Sequence, residues 1–290
     1  MIERELDPLY VAARRVLLDA LDALGTHRSA LILVGAQAVY LRAGDADLET
    51  VAPFTTDADF GIDASRLGSD PDITGAMVRA GFRLKVKSGG NGVEPGSWLA
   101  TTHLGGDMVS VEVDLMVPEA LAVGHGKRDA RLPYHGKNAT RWAPGLEATV
   151  LDNDELPIAS LEPERDPRTA VIRVAGPAAL LVAKAHKLGE RLGVGSQHRI
   201  RPKDAGDVFR IMRSPTPPTV IGRRLNELRR DPMCGASVHA GVRHLTDLFG
   251  APRAPGVDLA VANLAGAVAE DEVRVLMPAY LDTALATYRD

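Results

Sequence analysis

Thr55-Thr56-Asp57-Ala58-Asp59-Phe60-Gly61-Ile62-Asp63 is the stretch around which the rest of the chain is placed. In an extended strand successive side chains point to opposite faces, so Asp57 and Asp59 share one face while Ala58, Phe60 and Ile62 turn toward the other. One face is acidic and the other belongs to a core. Two carboxylates about 6.6 Å apart along a strand repel each other. Placing both on one face makes sense where a divalent cation with oxygen ligands sits between them, magnesium above all. Asp-x-Asp also occurs by chance in solvated turns, so the motif needs support from elsewhere in the chain.

Upstream, Leu9, Ala13, Val16, Leu17, Ala20, Leu21 and Leu24 fall at helical spacing before Gly25, which predicts an amphipathic helix over 9–24. A short buried strand is expected over 30–34, then a helix over 35–42 that ends near Gly44. A strand followed by a glycine and a helix start suits phosphate, because the first turn offers unpaired N–H groups and the positive end of the helix dipole. Gly35 fits equally a plain tight turn.

Downstream of a polar connection over 43–54, a helix is expected over 65–81, interrupted near Pro71. Strands follow over 82–86 and 98–103, with Ser88-Gly89-Gly90-Asn91-Gly92 as a turn between them. Residues 109–117 alternate strictly: Val109, Val111, Val113, Leu115 and Val117 lie on one face, Ser110, Glu112, Asp114 and Met116 on the other. If this strand lies beside the acidic one, Asp114 completes a three-carboxylate cluster. Residues 120–167 are rich in Gly, Pro, Asn and Asp, and no chemistry is assigned to them. His125 and His135 read as exposed loop histidines there.

A last strand is expected over 169–174. Gly176 and Pro177 then open a helix to about residue 192, proline being preset for the first helical turn. On it Lys184, Lys187 and Arg191 share a face. A basic loop over 198–202 leads to a helix over 203–212, with Asp204 and Asp207 in its first turns, where negative charge suits the dipole. Further helices are expected near 218–230, 235–248, 257–268 and 270–288. The pattern is α+β: a mixed sheet with flanking helices over 1–168, then a helical domain over 169–290, with the boundary between Pro163 and Pro177.

At 290 residues the chain suffices for one large or two ordinary domains. Apolar residues at 45% and charged residues at 25% are ordinary values, and no stretch is apolar for the length a membrane span needs. The N-terminus lacks a secretory pattern, so a soluble cytoplasmic protein is expected. Cys234, the only cysteine, excludes an internal disulfide and a zinc site of several thiolates, and reads as a buried inert thiol. The net charge of −4 gives no general attraction to nucleic acid, so such a partner needs a local basic surface. Residues 184–213 offer one, or else a solvated helix face.

In order, Leu33-Val34-Gly35-Ala36-Gln37-Ala38, Thr55-Thr56-Asp57-Ala58-Asp59, Val113-Asp114-Leu115, the Lys184–Arg191 run and Pro202-Lys203-Asp204-Ala205-Gly206-Asp207 resemble the AbiEii family of bacterial nucleotidyltransferase-like toxins. They resemble the wider DNA polymerase beta-like nucleotidyltransferase superfamily more loosely. The resemblance covers about residues 30–213. It implies a nucleotidyltransferase-like sheet domain with Gly35 as the phosphate turn, joined by Ala36, Gln37 and Thr56. It implies Asp57, Asp59 and Asp114 as ligands of Mg2+ or Mn2+, with Asp114 also typed as a base. Lys187, or second Lys184, would contact phosphate. Arg191, Asp204 and Asp207 would face the nucleotide cleft, the two acids serving equally to hold the basic helix in place.

The activity implied is transfer of a nucleotide from an NTP to RNA, such as a tRNA end, or to a protein hydroxyl, by the toxin of a toxin–antitoxin pair. The expected partners are the NTP, that target and an antitoxin, with no membrane. Two alternatives stand beside it: nucleotidylation of a small molecule such as an antibiotic, and a non-catalytic member that binds nucleotide or a partner. The chain departs from the family in having Ala36 where Ser or Gly is usual, with Gln37 as a replacement. It also has Ala52-Pro53-Phe54 where an arginine often precedes the aspartates, with Arg42 as a substitute. Aromatic content of 4% points to phosphate contact rather than extensive base stacking. Trp98, Trp142 and Tyr134 are available either to stack or to pack.

Overall fold

The computed structural model describes residues 6–44, 54–104, 106–123, 128–193 and 201–289. Most of the expected 43–54 connection, His125 and residues 198–200 of the basic loop lie outside them. The chain forms two compact units, one of Met1–Gln37, Ala52–Ala143 and Asp154–Val174, the other of Ala38–Val51, Pro144–Asn153 and Ala175–Asp290. It passes between them several times, where the sequence suggests a single boundary after residue 168.

The first unit is built on a mixed sheet. Helix α1 (Pro8–Ala23) starts where the Asp7 carboxylate accepts the Leu9 N–H at 2.8 Å and Pro8 presets the first turn. Strand β1 (Leu31–Val34) leads into helix α2 (Gly35–Ala43), and β2 (Asp57–Ile62) is the acidic strand. After helix α3 (Ile73–Arg79) come β3 (Arg83–Val86), β4 (Val93–Leu104), β5 (Asp107–Pro118), β6 (Arg141–Ala143), helix α4 (Glu147–Leu151), which belongs to the second unit, β7 (Asn153–Ala159) and β8 (Thr169–Ala175). The sheet order is β3-β4-β5-β2-β1-β8-β7, with β6 on β5. Pairing is antiparallel for β1–β2 and β4–β5, and parallel for β2–β5, β1–β8 and β5–β6.

One face of the sheet is core. Ala58, Phe60 and Ile62 of β2, Val111, Val113, Leu115 and Val117 of β5, and Trp98 of β4 are buried with α1 residues such as Val16, Leu17 and Leu21. This is the alternation read in the sequence, satisfied by one amphipathic helix.

Three expectations need correction. The helix expected over 65–81 is a short 3-10 turn at Ala64–Arg66 followed by α3 alone. Pro71 disfavours helical geometry in the residue before it, and Asp72 restarts the helix by accepting the Gly75 N–H at 2.7 Å. Strand β4 begins at Val93, through Pro95 and Gly96, well before residue 98. His135 is buried rather than exposed: its Nδ1 accepts the Ile73 N–H at 3.3 Å and its ring meets that of His27 edge-on.

The second unit is helical after β8. Helices α5 (Pro177–Leu192), α6 (Pro202–Arg213), α7 (Pro218–Leu228) and α9 (Pro255–Leu264) each open with proline in the first turn. Helices α8 (Gly235–Phe249) and α10 (Glu270–Arg289) complete it. Leu180, Phe209, Leu245, Phe249 and Leu281 are buried, as is Cys234. Among the described residues no helix is long and apolar enough to cross a membrane.

Candidate active site

The candidate site lies on the polar face of the first unit's sheet. In the parallel register of β2 and β5, Asp59 stands opposite Asp114 and Asp57 opposite Glu112. Register partners on adjacent strands point to one face. Four carboxylates therefore share a small area, where the sequence offered Asp114 only on the condition that β5 lie beside β2.

Asp57, Glu112 and Asp114 are held differently. Asp57 Oδ1 accepts the Thr55 hydroxyl, and Thr56 is exposed. Glu112 accepts two bonds from Lys85 Nζ at 2.9 and 3.0 Å, and a third from the Ser97 hydroxyl. Asp114 Oδ2 accepts the Arg141 guanidinium through Nη2, whereas Asp114 Oδ1 is buried with no hydrogen-bond partner. Burial pushes the Asp114 carboxyl above its ordinary pKa; Arg141 and the Ser97 hydroxyl oppose that shift, and Glu112 and Asp57 add to it. Lys85 is raised: burial alone would lower it, but its bonds to Glu112 prevail.

The glycine turn abuts this cluster. Val34 pairs with Asp59 across β1–β2, and Gly35 follows with φ +69°. A Cβ on Gly35 would lie 2.0 Å from Asp59 Oδ2. The left-handed backbone and the missing side chain are both needed for the carboxylate to lie against the turn.

Ala36 and Gln37 are buried. Gln37 Nε2 donates to the Asp57 carbonyl at 3.1 Å, and Gln37 Oε1 accepts from Arg14 Nε at 2.8 Å. Gln37 therefore ties the helix start to the acidic strand. Arg14, itself buried, also donates to the Ala159 carbonyl and the Tyr10 hydroxyl.

The remaining predicted residues lie in the second unit. Lys184 is buried, with Nζ 2.9 Å from Asp204 Oδ1 and 2.5 Å from Asp207 Oδ2. Lys187 and Arg191 reach the two oxygens of Asp204 at 2.9 and 3.0 Å. Burial alone would lower the Lys184 ammonium and raise the Asp204 carboxyl, but mutual attraction reverses both shifts. The basic face of α5 is thus clamped to the acidic start of α6, and Lys187, 41% exposed, is its most open cation. Arg42 donates to the Ala175 carbonyl at 2.9 Å.

Arg141, Lys85, Ser97 and Arg14 carry much of this geometry, and no motif or period in the sequence singles them out. For Arg141 the available signal was slight: the three-residue strand Arg141-Trp142-Ala143 between turn-rich segments. Among the described residues, no three His, Cys, Asp or Glu side chains converge to hold a metal ion. The donor types and strand register nevertheless suit a hard cation: Asp57, Asp59 and Asp114 share a face, and Asp114 has one unsatisfied buried oxygen. No protein-family model matches the chain, and no curated protein matches it.

Proposed function

We propose that the chain is a divalent-metal-dependent nucleotidyltransferase with the nucleotidyltransferase-like form of this mixed sheet, acting as an AbiEii-type toxin in the cytoplasm. The observation that carries this reading is the register that sets Asp59 beside Asp114, with Asp57 two residues away on the same face and Gly35 against Asp59. Asp57, Asp59 and Asp114 would hold Mg2+ or Mn2+. When bound, such a cation neutralises phosphate charge and acts as a Lewis acid.

The protein's own part is positioning and proton handling. An acceptor hydroxyl oxygen bonds to the α-phosphorus of the NTP, the bond from that phosphorus to the oxygen bridging to the β-phosphate breaks, and pyrophosphate leaves. Asp114, the carboxylate on β5 beside Asp59, takes the hydroxyl proton. The start of α2 at Gly35 presents backbone N–H groups to the phosphates. The acceptor is a hydroxyl of RNA, such as a tRNA end, or of protein, and an antitoxin is the restraining partner.

The test incubates purified protein with each labelled NTP, Mg2+ and total RNA, total protein or small hydroxyl compounds. Label on RNA or protein that is lost in the Asp57→Ala/Asp59→Ala variant supports the proposal. Product formed only on small hydroxyl compounds moves it to small-molecule nucleotidylation. One observation favours a non-catalytic, nucleotide-binding reading: Gln37, the expected replacement for a phosphate-contacting serine, is committed to Arg14 and the Asp57 carbonyl. Tight nucleotide binding without turnover in calorimetry would select it.

A further inference from the structure

Asp114 already has a counter-ion. Arg141 bonds it through a single nitrogen, Nη2, while Arg141 Nε is buried with no hydrogen-bond partner, as is Asp114 Oδ1. A structural arginine–carboxylate pair gains most from two parallel bonds. Here one donor and one acceptor at the contact are left unused, and leaving a buried polar group unmet is costly. The pair fits the site's geometry and leaves it incompletely satisfied.

The surroundings hold the guanidinium there without saturating it. Strand β6 pairs with β5 so that Arg141 lies opposite Met116, and Arg141 Nη2 is 3.5 Å from Met116 Sδ, a weak acceptor. Gly96, with φ +71°, makes room for the arginine: a Cβ there would lie 2.5 Å from Arg141 N and 2.9 Å from its Cγ. The Arg141 side chain is 28% exposed, against 14% for Asp114, so the arginine is the more solvent-accessible member of the pair. Glu112, the other carboxylate on this side of β5, is bonded to Lys85 and Ser97.

Resting on the metal-dependent reading above, we propose that Arg141 is the resident cation of Asp114 in the metal-free protein. It yields Asp114 to the divalent ion and turns its guanidinium to the phosphates of the incoming nucleotide. The two cations are alternative counter-charges for one carboxylate, and the planar donor fork of arginine suits a phosphate better than it suits the one-bond contact it leaves. Metal entry without nucleotide then displaces a bound guanidinium, whereas metal entry with nucleotide gives that guanidinium a new anion.

The test is calorimetric titration of Mn2+ into wild type, Arg141→Gln, Arg141→Lys and Asp114→Asn proteins without nucleotide, repeated with a non-hydrolysable NTP analogue. Thermal melts accompany the titrations to establish folding. Arg141→Gln is expected to bind Mn2+ at least tenfold more tightly than wild type without nucleotide, and to lose that advantage with the analogue present. Arg141→Lys, which keeps a more strongly hydrated cation, falls between them and serves if Arg141→Gln does not fold. Asp114→Asn binds weakly in either case. Equal Mn2+ affinity in wild type and both Arg141 variants would overturn the role of Arg141 and leave the metal reading standing. No Mn2+ binding by any of the proteins would overturn both.

Discussion

Gly35 and Asp59 are in contact that only a glycine permits: a Cβ on Gly35 would lie 2.0 Å from Asp59 Oδ2 and 2.7 Å from its Cγ, and Gly35 has φ +69°. Gly35→Ala therefore brings a left-handed backbone penalty of roughly 1–2 kcal/mol and pushes the Asp59 carboxylate off the turn. The expected result is a lowered melting temperature with a larger proportional loss of Mn2+ affinity. Serine at 35 behaves the same way, although it would add the hydroxyl that Ala36 does not supply. A variant that binds Mn2+ as wild type does would separate the turn from the site.

The clamp between α5 and α6 separates two roles for the basic residues. Removing the Lys184 ammonium leaves two buried carboxylates without it, so Lys184→Ala is expected to cost about 3–5 kcal/mol in denaturant unfolding. Lys187 is 41% exposed and shares Asp204 with two other cations, so Lys187→Ala costs roughly 0–1 kcal/mol. If Lys187 contacts phosphate as the family resemblance implies, this variant loses transfer activity while keeping its unfolding midpoint. Intact activity assigns it to the clamp alone.

Burial and the neighbouring His27 hold His135 below the ordinary histidine pKa, against opposing effects of a Gly68 backbone bond and Asp72. Because the folded state resists protonation, the contribution of His135 to stability is fully present above about pH 6.5 and declines as pH falls from there toward its lowered folded pKa. Protonation also removes the acceptor for the Ile73 N–H. Between pH 7.5 and 5.5 the wild-type melting temperature should fall more steeply than that of His135→Gln, and parallel curves would contradict this.

Tyr134 is 79% exposed and sits at φ +70°, in a loop where Arg128 and Arg131 also have positive φ. Such backbone is costly for residues with a Cβ and collects at functional positions. Tyr134→Gly relieves the penalty and is expected to stabilise the fold by about 0.5–1 kcal/mol after the entropy that glycine adds to the unfolded chain. A fall in transfer to RNA in this more stable variant would mark the ring as an acceptor contact.

The acidic strand and its neighbour were legible because strict alternation around Asp57, Asp59 and Asp114 has one structural solution, a strand buried on one face. Their pairing was not legible. Register between β2 and β5 is set by packing across some fifty intervening residues, which no local pattern carries. The helix start at Pro177 was readable from proline chemistry, whereas Pro202, read as the end of a basic loop, in fact opens α6; within 65–81 the break was placed at Pro71, and the cap at Asp72 shows only in its bond from the Gly75 N–H. Lys184, Lys187 and Arg191 show a limit of another kind. Cations three and four apart read alike whether they face phosphate or the carboxylates of Asp204 and Asp207. Arg141 was hidden because a three-residue strand has no period to detect.

The most direct measurement compares α-labelled with γ-labelled NTP in the presence of Mg2+ and total RNA or total protein, using wild type and Asp59→Asn. Nucleotidyl transfer predicts that the α label becomes bound to a macromolecule and the γ label is released as pyrophosphate, with both results lost in Asp59→Asn. Transfer of the γ label, or no transfer of either by a wild-type protein that binds both metal and nucleotide, would contradict the account.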